Sequence, residues 1–295
     1  MPLSRREMLA ALGAPAAAGS GLPRGASGRD TEGEEAGEVA QESGRIRKVL
    51  AANGSPRARN SNTRRILTPL LEGVRAEGAD VEEVYLTDLT IGPCRGCFGC
   101  WTQTPGECVQ KDDMTDLLAK VLECDAFVLG FGLYIRSVPS GVQAMMERML
   151  PMAEPWLVEG GDGATTHPAR HVGRRARWVV ISNCGFPEES EFRGLRARFG
   201  QQGVDPITMP AGEFLAFLEN TPSMAPALEA FRGALREAGR RLVQTGDITG
   251  EVRSKISRPV IEWAGVTPQQ YRDFANAAFK QALDEAGAPA EPPAP

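Results

Sequence analysis

Histidine is almost missing from this 295-residue chain: His167 and His171 are its only two. A metal site built chiefly on imidazoles is therefore excluded. No stretch is both apolar and long enough to cross a bilayer. The uncharged run over residues 8–22 is Ala- and Gly-rich, contains Pro15 and is too short, so no integral membrane segment is expected. Basic residues never cluster densely, and the net charge is −5 from 33 basic and 38 acidic side chains, which argues against nucleic acid as a partner. Neither a G-x-G-x-x-G fingerprint nor a Walker lysine is present, which counts against a dinucleotide site of that type and against a P-loop NTPase.

What the chain does have is an ordinary globular composition, 42% hydrophobic and 24% charged, enough for one large or two small domains. Its six cysteines are unevenly placed. Cys94, Cys97, Cys100 and Cys108 fall within fifteen residues, whereas Cys124 and Cys184 stand apart. A secreted disulfide scaffold would be shorter and would spread its cysteines, so this spacing points to one local site.

Three zones follow one another. Residues 1–44 open with Ser4-Arg5-Arg6-Glu7-Met8-Leu9, pass through small residues at Ala14, Ala16 and Ala18, and become acidic. They read as a twin-arginine export signal with a linker, or as a disordered leader, so the location is either cytoplasmic or periplasmic. Residues 45–245 alternate strand and helix patterns. Apolar runs at 45–52, 81–86, 126–130, 178–182 and 207–210 predict strands. Helical spacing joins Ile66, Leu67, Leu70, Leu71 and Val74, with Pro69 predicting a kink. It also joins Met114, Leu117, Leu118, Val121 and Leu122, then Val142, Met145, Met146, Met149 and Leu150 as a core stripe. Residues 151–177 read as a long lid-like loop. Residues 246–295 form a helical extension, with a helix over about 271–283, and a Pro/Ala tail expected to be disordered. The alternation predicts an open, doubly wound parallel α/β sheet, whose ligands bind at the carboxyl ends of the strands.

That rule selects three segments. The first runs from Gly54-Ser55-Pro56-Arg57 to Asn60-Ser61-Asn62-Thr63, between the first strand and its helix. Hydroxyls, an amide, arginines and a helix N-terminus suit an anion such as phosphate, while a plain capped turn is the alternative. The second is Gly132-Leu133-Tyr134-Ile135-Arg136-Ser137, able to pack on a planar ring, and the third is Asn183-Cys184-Gly185, with an amide at the matching position. Beside these lies Cys94-x-x-Cys97-x-x-Cys100-x7-Cys108. Four thiolates on Gly-rich backbone suit an iron–sulfur cluster; zinc, or reduced thiols without metal, are the alternatives. Cys124 and Cys184 read as structural.

With these residues in view, the chain resembles the flavodoxin-like NAD(P)H-dependent FMN reductases, and within them the branch of iron–sulfur flavoproteins. The resemblance covers 45–150 well and 178–245 loosely. It implies a five-stranded sheet of order 2-1-3-4-5, with FMN phosphate held by Ser55, Arg57, Ser61, Asn62 and Thr63. The ring would lie beside Leu133, Tyr134 and Ile135, where Gly132 replaces the family's proline, with Asn183 near by. The cysteine motif, from Cys94 through Trp101 and Cys108 to Asp112-Asp113-Met114, implies a 4Fe–4S cluster on Cys94, Cys97, Cys100 and Cys108. The function implied is electron transfer from NAD(P)H or another donor, through FMN, to a small-molecule or redox-protein acceptor, in a homodimer or homotetramer. No conventional catalytic side chain is required, because the flavin performs the redox chemistry. Two rival readings are an electron-transfer flavoprotein with a protein partner, and a non-catalytic flavodoxin-fold module with a four-cysteine zinc site.

Overall fold

The computed structural model describes residues 46–160, 163–171 and 176–287. The export-signal and linker reading of residues 1–44 lies outside the described residues, as does the expected disorder beyond residue 287. Five strands, β1 (Lys48–Asn53), β2 (Asp80–Tyr85), β3 (Ala126–Gly132), β4 (Arg177–Asn183) and β5 (Ile207–Met209), form one sheet in the order β2-β1-β3-β4-β5. Every neighbouring pair is parallel. This is the doubly wound, flavodoxin-like order that the sequence predicted.

β1, β3 and β4 are nearly continuous apolar runs because both of their faces are covered, whereas the edge strand β2 carries Asp80, Glu82 and Glu83 and has no fully buried residue. Successive side chains alternate between two cores. Val49, Ala51, Val128 and Ile181 pack under α1 (Asn62–Ala76) and α6 (Ala225–Thr245). Leu50, Ala52, Phe127, Leu129 and Phe131 pack under α2 (Met114–Glu123), α3 (Ser140–Glu147) and α4 (Arg193–Gly200). Pro69 lies inside the unbroken α1, and is itself buried. Gly73 of α1 and Gly239 of α6 mark where these helices touch. A Cβ at Gly73 would fall 2.0 Å from the Arg236 carbonyl oxygen, and one at Gly239 would fall 1.9 Å from that of Leu70.

Several boundaries differ from expectation. Helix α3 stops at Glu147, so Val142 and Met145 are core while Met149 and Leu150 lie past its end. The stretch after it contains a small antiparallel hairpin pairing Val158 with Thr166 and Glu159 with Thr165. After β5 come α5 (Phe214–Asn220), α6, α7 (Gly250–Ile256) and α8 (Pro268–Glu285). Thr267 and Gln270 form a capping box at the start of α8. Among the described residues no helix is long and apolar enough to cross a membrane.

Candidate cofactor cavity and cysteine loop

Parallel register brings the carboxyl ends of three strands level. Asn53 stands opposite Gly130, and Gly132 opposite Asn183. The loops leaving these ends enclose a cavity of about 220 Å³ lined by Ser55, Arg57, Asn62, Thr63, Gly132, Leu133, Tyr134, Asn183, Cys184, Gly185 and Glu213. Seven of the nine residues expected to hold a cofactor meet there. A larger cleft of about 1790 Å³ opens near Lys48, Asp125 and Arg177, at the opposite ends of the strands, and contains none of them.

The turn after β1 is organised by Asn53, the buried last residue of the strand. Its Oδ1 accepts the Ser55 amide N–H at 3.0 Å, and its Nδ2 donates to Ser61 Oγ at 3.3 Å. The Cβ that Gly54 lacks would lie 2.2 Å from Val142 Cγ2, so the chain passes here only as glycine. Ser61 caps α1: its Oγ accepts from the Arg64 amide at 3.1 Å and donates to the Ala58 carbonyl at 2.6 Å. Its hydroxyl is thus committed to the fold, and Ser61 does not line the cavity. Asn62 is 2% exposed, and its Nδ2 is buried without a hydrogen-bond partner. An unpaired buried donor is costly, so a donor left open beside a cavity at a helix N-terminus fits a place for an anion.

The opposite wall is held by Asn183, whose Nδ2 donates to Thr63 Oγ1 at 3.2 Å and to the Phe131 carbonyl at 3.4 Å. Its own carbonyl accepts the Leu133 amide at 2.8 Å. Beyond Leu133, Tyr134 and Ser137 exchange two backbone hydrogen bonds of 3.0 Å across a tight reversal. Ile135 and Arg136 sit at its tip with φ of +49° and +56°, a conformation unfavourable for a β-branched side chain. Ile135, expected beside the ring, instead points to solvent and is 98% exposed. Tyr134 remains at the cavity. Two further residues shape this wall, Cys184 from the selected segment and Tyr271, which carried no sequence signal. Cys184 is buried, which pushes its thiol up to about 11 and leaves it unreactive. Tyr271 of α8 donates to the Gly185 carbonyl at 2.6 Å, so the C-terminal helix braces this wall.

The cysteine loop lies between β2 and α2. It contains one helical turn, Gly99–Thr102, entered through Phe98 at φ +54°. The Trp101 ring lies between Phe98 and His167, with centroids 5.1 and 4.8 Å away, and its indole N–H donates to the Leu150 carbonyl. Cys100 is buried, Cys94 and Cys108 are half-buried, and Cys97 is exposed. Burial first, and then the thiols of Cys108, Cys94 and Cys97, raise the Cys100 pKa, so the four sulfurs share one neighbourhood. Among the described residues no group of three or more His, Cys, Asp or Glu is spaced to hold a metal ion. The donor chemistry suits an iron–sulfur cluster, which takes four cysteine ligands.

A buried ion pair ties the loop's ends. Arg148, 1% exposed and just past α3, donates to both Asp112 carboxylate oxygens at 2.7 and 2.8 Å and to the Gly92 carbonyl at 2.9 Å. Asp112 in turn accepts the Gly92 and Met114 amides. The Arg148 guanidinium holds the Asp112 carboxyl below the usual carboxylate range.

The sheet order β2-β1-β3-β4-β5, all parallel and covered by helices on both faces, defines a flavodoxin-like fold. Within that class the model of the NADPH-dependent FMN reductase family matches residues 47–166. It is 32% identical over 142 residues to an iron-sulfur flavoprotein of Archaeoglobus fulgidus, covering 48% of this chain and 58% of that one. A second iron-sulfur flavoprotein of the same organism is 39% identical over 101 residues, covering 34% and 48%. The chain thus spans about half the length of the curated relatives it matches. Among solved structures it is similar to an FMN-dependent NADH-azoreductase of Bacillus anthracis, with 17% identity and a TM-score of 0.47, covering 67% of this chain and all of that one.

Proposed function

We infer that the chain is an FMN-dependent oxidoreductase taking electrons from NAD(P)H, or from another donor, and passing them to a small-molecule or redox-protein acceptor. The observation that carries this reading is the unpaired Asn62 Nδ2, buried at the N-terminus of α1 in a cavity that gathers Ser55, Thr63, Tyr134 and Asn183. The family match and the relatives' flavoprotein names support it. Asn62 would donate to the FMN phosphate. Thr63 Oγ1, which accepts from Asn183, keeps its proton to donate as well. Ser55 closes the same corner, and Leu133 and Tyr134 flank the side where the ring would lie. When bound, FMN supplies the two-electron chemistry, so the protein's part is to bind, orient and shield.

The four-cysteine loop would hold a 4Fe–4S cluster, a reading supported by the relatives' names and by the shared neighbourhood of the sulfurs. Homodimeric or homotetrameric assembly belongs to the same reading. Anaerobic purification followed by flavin, iron and sulfide analysis tests all but the assembly. One FMN with about four irons and four sulfides per chain is expected. FMN without iron would leave a plain flavin reductase, and absence of flavin would overturn the reading.

A further inference from the structure

Arg57 and Glu213 both line the cavity. Arg57 Nη1 donates to both Glu213 carboxylate oxygens at 3.0 Å, across 156 residues of sequence. Each side chain is about half exposed, at 45% and 51%. Glu213 occupies the N-cap position of α5, yet its side chain makes no capping hydrogen bond. The fold therefore does not need this carboxylate for the helix it precedes.

Its position conflicts with the rest of the cavity. The helix N-terminus and Asn62 Nδ2 attract an anion, whereas Glu213 places a carboxylate on Arg57, a cation lining the same cavity. An exposed ion pair is weak enough to be exchanged. A phosphate offers Arg57 a stronger, charge-assisted partner of the same geometry. A phosphorylated ligand must therefore compete with Glu213 for Arg57, while a ligand without phosphate meets no such competition.

We propose that Glu213 is a specificity-determining residue: by occupying Arg57 it lowers the cavity's affinity for FMN and leaves its affinity for unphosphorylated flavin untouched. This rests on the reading of the cavity as a flavin site. The test titrates FMN and riboflavin, by quenching of flavin fluorescence, into the flavin-stripped full chain and its Glu213→Gln, Arg57→Gln and doubly substituted variants. Glu213→Gln should bind FMN about five-fold more tightly, with riboflavin unchanged. The gain should vanish when Arg57 is also replaced. Unchanged or weaker FMN binding in Glu213→Gln would overturn the proposal, as would an equal gain for riboflavin or a gain that survives loss of Arg57. A wild-type chain that binds neither flavin would instead overturn the flavin reading beneath it. Glu213→Ala serves as a second variant, because the missing capping bond leaves the start of α5 indifferent to this side chain.

Discussion

The turn after β1 and the loop after β2 both present short polar side chains from glycine-containing backbone, but they are held in place by different means. The first is short, leaves the centre of the sheet, and is pinned at both ends by regular structure: Asn53 closes the strand and Ser61 caps the helix. The second is an excursion whose ends are joined by hydrogen bonds between Thr90 and Asp113 and between Gly92 and Asp112, and braced from the end of α3 by Arg148 on Asp112. Regular structure holds the first site, whereas hydrogen bonds between the loop's ends and one ion pair hold the second. The cavity should therefore tolerate local damage that the cysteine loop does not.

Arg148→Met gives the largest effect by which to break this contrast. It removes the guanidinium from Asp112, which keeps the Gly92 and Met114 amides, so the cost is about 1.5–3 kcal/mol, as for hydrogen bonds to a charged group. Thermal unfolding should show this loss. Thiol titration of the folded protein should show faster modification of Cys94, Cys97 and Cys108, with FMN affinity kept. Equal thiol reactivity in variant and wild type would mean the loop has other anchors.

Asn62→Leu is expected to act in the opposite sense. Its Nδ2 has no hydrogen-bond partner and its Oδ1 accepts from Arg65 Nη1 at 3.3 Å, so stability without flavin should change little. FMN binding should weaken about ten-fold or more, as for loss of a hydrogen bond to a charged group. A flavin titration beside a melting curve of the stripped protein separates the two quantities. Loss of stability without loss of affinity would refute the assignment.

The smallest effect is a pH dependence. Asp112 titrates lower in the folded than in the unfolded chain, so its contribution is complete above the ordinary carboxylate pKa of about 3.9. That contribution is lost as pH falls through the folded value. Asp112→Asn should be less stable than wild type near neutrality, and the two acid-unfolding curves should converge below that range. Parallel curves would show that the pair does not govern acid sensitivity.

The same contrast explains what could be read without coordinates. Apolar runs at β1, β3 and β4 announce themselves because strands buried on both faces need them. Ser55, Asn62 and Thr63 were legible because a strand, a turn and a helix start follow one another in sequence. Arg148 and Glu213 were not. Their partners lie 36 and 156 residues away, and among many arginines and acids only packing selects the pair. Ser61, expected at the phosphate, instead caps α1 outside the cavity lining, a difference hidden in sequence because a capping hydroxyl and a ligand hydroxyl look alike. Ile135 was placed beside the ring because nothing in the sequence reveals the left-handed reversal that turns it outward. The Val158–Thr166 hairpin escaped notice since its two-residue strands are exposed and carry no apolar alternation.

The glycine contact between α1 and α6 gives the back of the molecule a hold on its front. An α-helix transmits a push along its length as a stiff rod, and α1 begins with Asn62 and Thr63. An added methyl group at Gly73 or Gly239 would collide with main chain rather than with a side chain that can swing aside, so α1 itself must yield. On the flavin reading of the cavity, cofactor affinity should therefore respond to substitution at Gly73 or Gly239, which do not line it. A screen confined to the cavity lining would overlook that control.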